Sequence, residues 1–125
     1  LLLGEWDRCR PWIEAALGYD NGGHTVEDVQ AKVAQGLMQF WPAPRGCIIT
    51  EILQFPRRKM VNVYLAGGEL DQLADMQDAI IAWAKEHGCT GAMLSGRKGW
   101  ERVFSQYGWK HTHTVLMRDF DEVAP

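Results

Sequence analysis

Apolar positions along this chain change their period several times, and each change marks an element. Over residues 7–17, Trp6, Cys9, Ile13, Ala16 and Leu17 line one helical face. Asp7 is the expected N-cap of that helix. Pro11 suits it best in the first turn, where a missing N–H is not needed, so the start is set only to within a few residues. Residues 18–23 (Gly-Tyr-Asp-Asn-Gly-Gly) have loop composition. Thr25 followed by Asp28 approximates a capping box, and the helix it opens carries Val26, Val29, Val33 and Leu37 on the face expected to be buried.

The period then shortens. Residues 37–41 read as extended and apolar, 42–46 (Pro-Ala-Pro-Arg-Gly) as a tight reversal, 47–55 as a strand, 56–58 as a second reversal and 59–66 as another strand. Short turns between them predict an antiparallel meander. Gly67 and Gly68 break the last strand. Leu70, Leu73, Met76, Ile80, Trp83 and His87 then mark a helix of about five turns, closed by Gly88. Residues 92–94 form a short buried strand. Trp100, Val103, Phe104 and Tyr107 stripe a further helix ended by Gly108, and residues 111–119 alternate as a final strand. The predicted class is mixed α/β (α+β): two helices, a three-strand meander, a central helix, a strand, a helix and a strand, in one domain over residues 1–125.

Composition narrows the function classes. A chain of 125 residues, 46% hydrophobic and 23% charged, is large enough to bury a core without disulfides. A net charge of −3 and a pI near 5.8 argue against nucleic-acid binding by counterion release. The dense basic run Arg57-Arg58-Lys59 reads as a solvated turn. Cys9, Cys47 and Cys89 are odd in number and widely spaced, which favours reduced thiols and a cytoplasmic setting. No apolar run is long enough to span a bilayer, and residues 1–3 (Leu-Leu-Leu) are too short for a signal-peptide core. Most of the six tryptophans are expected in the core, with one or two left to line a groove or a protein contact.

Two local signatures carry a family resemblance. Residues 81–89 (Ile-Ala-Trp-Ala-Lys-Glu-His-Gly-Cys) resemble a central helix and its exit into a strand; residues 103–110 (Val-Phe-Ser-Gln-Tyr-Gly-Trp-Lys) resemble an aromatic–Gly–aromatic–Lys junction. Together with the element order they resemble the GNAT superfamily of N-acetyltransferases, over residues 7–120. The Gly-Arg-Lys-Gly-Trp form at 96–100 is also similar to small acetyltransferase-like proteins of bacteriophages, which would place the chain in a host cytoplasm or a virion.

The resemblance implies an acyl-coenzyme A ligand, an acetyl-CoA or other acyl-CoA, and an amine acceptor, either a small molecule or a peptide. In that family a glycine-rich turn before the central helix holds the pyrophosphate. The matching positions here fall near Gly68, Asp71 and Leu73, without the family's arginine and glycines. Gly67 and Gly68 either let a ligand approach the backbone or simply terminate a strand. Glu69 and Asp71 suit a helix start and repel phosphate. Main-chain donors of Leu65, Ala66, Gly67 and Gly68 are the implied cofactor contacts, with donors around residues 63–66 orienting the thioester carbonyl. The family's thiolate-protonating tyrosine corresponds to Phe104, which has no proton to give; Tyr107 lies three residues on, a core position by default or else the acid. The family's cofactor-contacting asparagine corresponds to Arg97, so Arg97 and Lys98 are either an anion site or solvated charges.

Two readings of the residues themselves complete the candidates. Glu51 shares a strand face with Ile49 and Leu53, as Asn62 does with Met60 and Tyr64, so Glu51 is the candidate base unless that face is solvated. His111 and His113 point the same way on a strand but lack a third metal ligand, and Asp119, Asp121 and Glu122 form a polar tail. The functional alternatives are a divergent N-acyltransferase and a non-catalytic structural or partner-binding protein on the same scaffold.

Overall fold

Helix α1 (Leu3–Leu17) starts earlier than the capping pattern indicates, and Asp7 is inside it rather than at its cap. The structure, a computed structural model, describes residues 3–120, so Asp121 and Glu122 lie outside the described residues. Trp6, Cys9 and Ile13 are buried along α1. Their burial contributes about 1.5–3 kcal/mol for each large side chain. That outweighs the roughly 3 kcal/mol cost of an interior proline, so Pro11 sits mid-helix on the exposed side.

Helix α2 (Val26–Ala34) begins with the capping box predicted for it: Asp28 N donates to Thr25 Oγ1 at 3.2 Å, and Thr25 N donates to Asp28 Oδ2 at 2.9 Å. It ends in a Schellman motif around Gly36 (φ +77°), with Leu37 N bonded to Lys32 O and Gly36 N to Val33 O. That left-handed residue turns Leu37 away from the helix face. Leu37 is 59% exposed, contrary to its expected burial.

Four strands follow in the order β1 (Gln39–Ala43), β2 (Gly46–Gln54), β3 (Lys59–Gly68) and β4 (Gly91–Leu94), with helix α3 (Leu70–Glu86) between β3 and β4. The first three pair antiparallel as the meander predicts, and β4 joins β3 in parallel. Strand β1 runs through Pro42, which was expected in the reversal; β1 is a sheet edge, where a residue without an N–H is tolerated. The turn is correspondingly tighter, only Pro44 and Arg45. The basic run is more than a solvated turn: Arg58 donates to Thr90 Oγ1 and O, both at 3.2 Å, and Lys59 to His87 O at 3.0 Å, tying the β2–β3 turn to the α3–β4 connection.

Helices α1 and α2 cover one sheet face, where Cys47, Ile49 and Leu65 join Trp6, Ile13 and Val29 in the core. Helix α3 covers the other face, with Leu73 against Gly46 and the Trp83 ring 5.6 Å from Trp41. Of the six tryptophans only Trp6 is fully buried; the rest are half-buried, since an indole on a domain this small reaches the rim.

Gly67 and Gly68 do not end β3 early. They pair with Cys47 and Gly46 as its last residues. A Cβ on Gly67 would stand 2.7 Å from Trp12 O and 2.9 Å from Trp12 Cβ, so the glycine lets α1 lie against the strand. Gly68 (φ +113°) packs against Arg45 O and Gly46 Cα.

The chain divides after Ser95 into two compact units. Within the second, α4 (Lys98–Phe104) runs into a 3-10 turn (Ser105–Tyr107) closed by Gly108 at φ +90°. Phe104 is buried, with the Trp100 and Trp109 rings 6.2 and 6.0 Å away. Tyr107 is 53% exposed, not core, because the tighter 3-10 turn rotates it off the stripe. Residues 109–119 form no strand. Their alternation sets which side chains share a face, but a strand exists only with a partner ladder, and none forms here among the described residues.

Candidate active site

Strand β3 positions the site. It pairs with β4 over only four residues, Met60 to Val63, and then continues to Gly68 with no partner strand on that side among the described residues. The sheet therefore forks beyond the Val63–Leu94 pair. A β-bulge sits at the fork: Ile49 pairs with Leu65 and Thr50 with Val63, leaving Tyr64 as the extra residue. Bulges of this kind re-aim a side chain. Tyr64 keeps the face of Asn62, which α1 and α2 cover, and the bulge brings Leu65 onto that same face, where both pack against the core. One row back, Glu51, Asn62 and Met93 face each other across the three strands, and Asn62 Nδ2 donates to Glu51 Oε2 at 2.9 Å.

The loop between α1 and α2 closes over Tyr64. Asn21 (φ +57°) and Gly22 (φ +79°) turn the chain, and the capping box fixes its exit, holding His24 one residue before the cap. His24 Nδ1 is 2.9 Å from the Tyr64 hydroxyl and 3.6 Å from Asp20 Oδ2, while Nε2 is 3.2 Å from Lys32 Nζ. A lysine ammonium has only protons to give. Nε2 therefore accepts, Nδ1 carries the ring proton, and that proton points at Tyr64. Burial, then the Asp20 carboxylate with Glu51 and Asp28 beyond it, pushes the Tyr64 phenol well above its ordinary value. Asp20 Oδ2 is buried and takes no hydrogen bond among the described residues.

At the far end of β3 a second charged group forms. Arg45, in the β1–β2 turn, pairs with Glu69 and with Asp71 (2.9 Å) at the start of α3. Hydrogen bonding from Arg45 is the main reason Asp71 lies below the usual carboxylate range. Gln72 Oε1 accepts from Arg45 N at 3.3 Å, and Glu69 N donates to Arg45 O at 2.9 Å.

No protein-family model and no curated protein matches the chain. Solved structures do. A protein from Thermus thermophilus superposes with a TM-score of 0.66 at 15% identity, covering 99% of this chain and 96% of that one. A predicted acetyltransferase from Clostridium acetobutylicum, solved with acetyl-CoA, gives 0.64 at 16% identity over 86% and 85% of the two chains. Glucosamine-6-phosphate N-acetyltransferase from Arabidopsis thaliana gives 0.59 at 12% identity over 97% and 95%. The chain has the GNAT fold.

On this GNAT scaffold the positions named from sequence separate into groups. Leu65, Ala66, Gly67 and Gly68 are all on the stretch of β3 that β4 leaves uncovered. The Leu65 side chain is in the core and the Gly67 face is taken by Trp12, so what these residues present at the fork is main chain. Glu51 is beside the fork and half-buried. Arg97 and Lys98 open α4 in the second unit, where the Arg97 guanidinium lies 6.0 Å from the Trp100 ring centroid. Tyr107 and the buried Phe104 belong to the same unit. His111 and His113 bond to Thr114 and Thr112, and no group of three metal-ligating side chains occurs among the described residues.

Sequence reasoning missed Asp20, His24 and Lys32 altogether and treated Tyr64 only as a neighbour of Asn62. The one local signal was a histidine directly before a capping box. Its partner Tyr64 is forty residues away in the chain and meets it only when α1 and α2 pack on the sheet.

Proposed function

We propose that the protein is an acyl-coenzyme A-dependent N-acyltransferase acting on an amine, small-molecule or peptide. The observation that carries this reading is the β3–β4 fork with a carboxylate and a phenol beside it. Strand residues past Val63 present main-chain groups that no ladder on the β4 side uses, as a thioester carbonyl and its amide chain require. Glu51, oriented by Asn62, takes the proton of the acceptor amine as that nitrogen attacks the carbonyl carbon. The phosphate end fits less well: Arg45 supplies one positive charge against two carboxylates at the α3 start, in place of a glycine cradle. No helix among the described residues is long and apolar enough to cross a membrane.

That same Arg45–Glu69–Asp71 group favours a second reading, a non-catalytic partner-binding protein on the GNAT scaffold, since it occupies the helix start with side chains rather than leaving it bare for phosphate. Calorimetric titration with acetyl-CoA separates the two. Neither heat nor a thermal shift at millimolar ligand would end the enzyme reading. Where binding is found and an acceptor is identified, Glu51→Gln lowers kcat by about 10²-fold or more with acetyl-CoA affinity unchanged.

A further inference from the structure

We propose that the protein holds its acyl donor by the pantetheine arm alone and gives the nucleotide pyrophosphate no hold, because its own chain closes the start of α3. This rests on the acyltransferase reading above and deepens it by naming the part of the donor that sets specificity.

A pyrophosphate at a helix start needs bare first-turn N–H groups, a backbone it can approach and no competing negative charge. The start of α3 fails on each. Glu69 N donates to Arg45 O at 2.9 Å, and the N–H groups of Asp71 and Gln72 serve the Asp71 carboxylate. Gly68 is the residue whose missing side chain would let a ligand close in. The space a Cβ would take there is filled by Arg45 O and Gly46 Cα, so its φ of +113° serves packing against the β1–β2 turn.

Charge acts in the same direction. Arg45 Nη1 donates to both Asp71 oxygens, at 2.9 and 3.1 Å, and to Glu69 Oε2. One guanidinium against two carboxylates leaves the group negative before any phosphate arrives. The helix dipole that would draw an anion is already met by Glu69 and Asp71. These three side chains are exposed, so their pairing adds little to stability, and its consequence falls on the ligand.

The arm needs none of this. Past Val63, β3 runs on to Gly68 with no partner strand on the β4 side among the described residues, and what it presents there is main chain. Two amides along an uncharged arm match main-chain groups and require no cation.

The test compares pantetheine with dephospho-coenzyme A, which adds the pyrophosphate and adenosine to the same arm, by calorimetric titration. The wild type should bind the two within about threefold of each other, whereas charge-assisted bonds to a held pyrophosphate would favour the larger ligand by about tenfold or more. Glu69→Gln together with Asp71→Asn removes both carboxylates and frees Arg45. That variant should gain about tenfold or more for dephospho-coenzyme A with pantetheine affinity unchanged. If neither ligand binds the wild type at millimolar concentration, the acyltransferase reading falls and this inference with it. A wild type that prefers dephospho-coenzyme A tenfold overturns the inference and leaves the acyltransferase reading standing. A double variant with no new preference overturns it too, since the acids would then not be what closes the helix start.

Discussion

Gly67→Ala is the sharpest test of what the glycine pair at the end of β3 is for. The added methyl would stand 2.7 Å from Trp12 O and 2.9 Å from Trp12 Cβ. Both atoms belong to the middle of α1, so no flexible side chain can swing aside. Heavy atoms at rest stay about 3.5 Å apart, so the helix must lift by roughly 0.8 Å over the part that buries Cys9 and Ile13. Overpacking of this kind costs about 1–3 kcal/mol. For a domain of this size that is a fall of roughly 3–15 °C in melting temperature. Gly4→Ala is the control: it lies in the same helix, its new methyl meets nothing within 4 Å, and it should be neutral or stabilise by about 0.5–1 kcal/mol. Both are read by thermal unfolding followed by circular dichroism. A Gly67→Ala protein that melts with the wild type would mean α1 does not rest on the strand. The glycine would then be free to serve a ligand.

Other expectations follow from the same packing. Thr50 is fully buried, donating to Gln39 Oε1 at 2.8 Å and accepting from Trp41 Nε1 at 3.0 Å, so Thr50→Val leaves two polar groups bare and destabilises by about 1–3 kcal/mol in a denaturant melt. Thr25→Ala removes the α2 cap and costs about 1 kcal/mol. The Thr25 backbone N–H is the main reason Asp28 sits below its ordinary value. A depressed folded pKa stabilises fully above the unfolded carboxylate pKa and loses that contribution as pH falls through the folded one; the acid limb of the stability curve should therefore flatten in Asp28→Asn. Arg45→Ala should change melting little, since the pair is exposed, but should weaken acetyl-CoA binding by leaving Glu69 and Asp71 to repel phosphate; tighter binding instead would show that Arg45 blocks the site.

What could be read from sequence was local. The Thr25–Asp28 box, the Gly88 stop of α3 and the β2–β3 reversal depend on residues within a few positions of one another, and all three are in the structure. Burial was less legible. Leu37 satisfied the helical period, yet one left-handed glycine before it turned it to solvent. Tyr107 was lost to a change from α to 3-10 pitch, and the Asp7 cap to the pull of a buried Trp6 one residue earlier.

By itself, then, the sequence determined the element order as far as α4, though not the final strand expected after it, and the GNAT resemblance, because period, caps and turn residues act within a turn or two of backbone. It also placed Glu51 on a strand face with apolar neighbours. Only the tertiary structure decided where β4 leaves β3, that Gly67 is occupied by Trp12, that Arg45 pairs with the two acids at the start of α3, and that 111–119 finds no ladder among the described residues. It alone brought Asp20, His24, Lys32 and Tyr64 together. Pairing register and close approach are set between segments tens of residues apart, and a bulge of one residue redirects a side chain without leaving a mark in the local pattern.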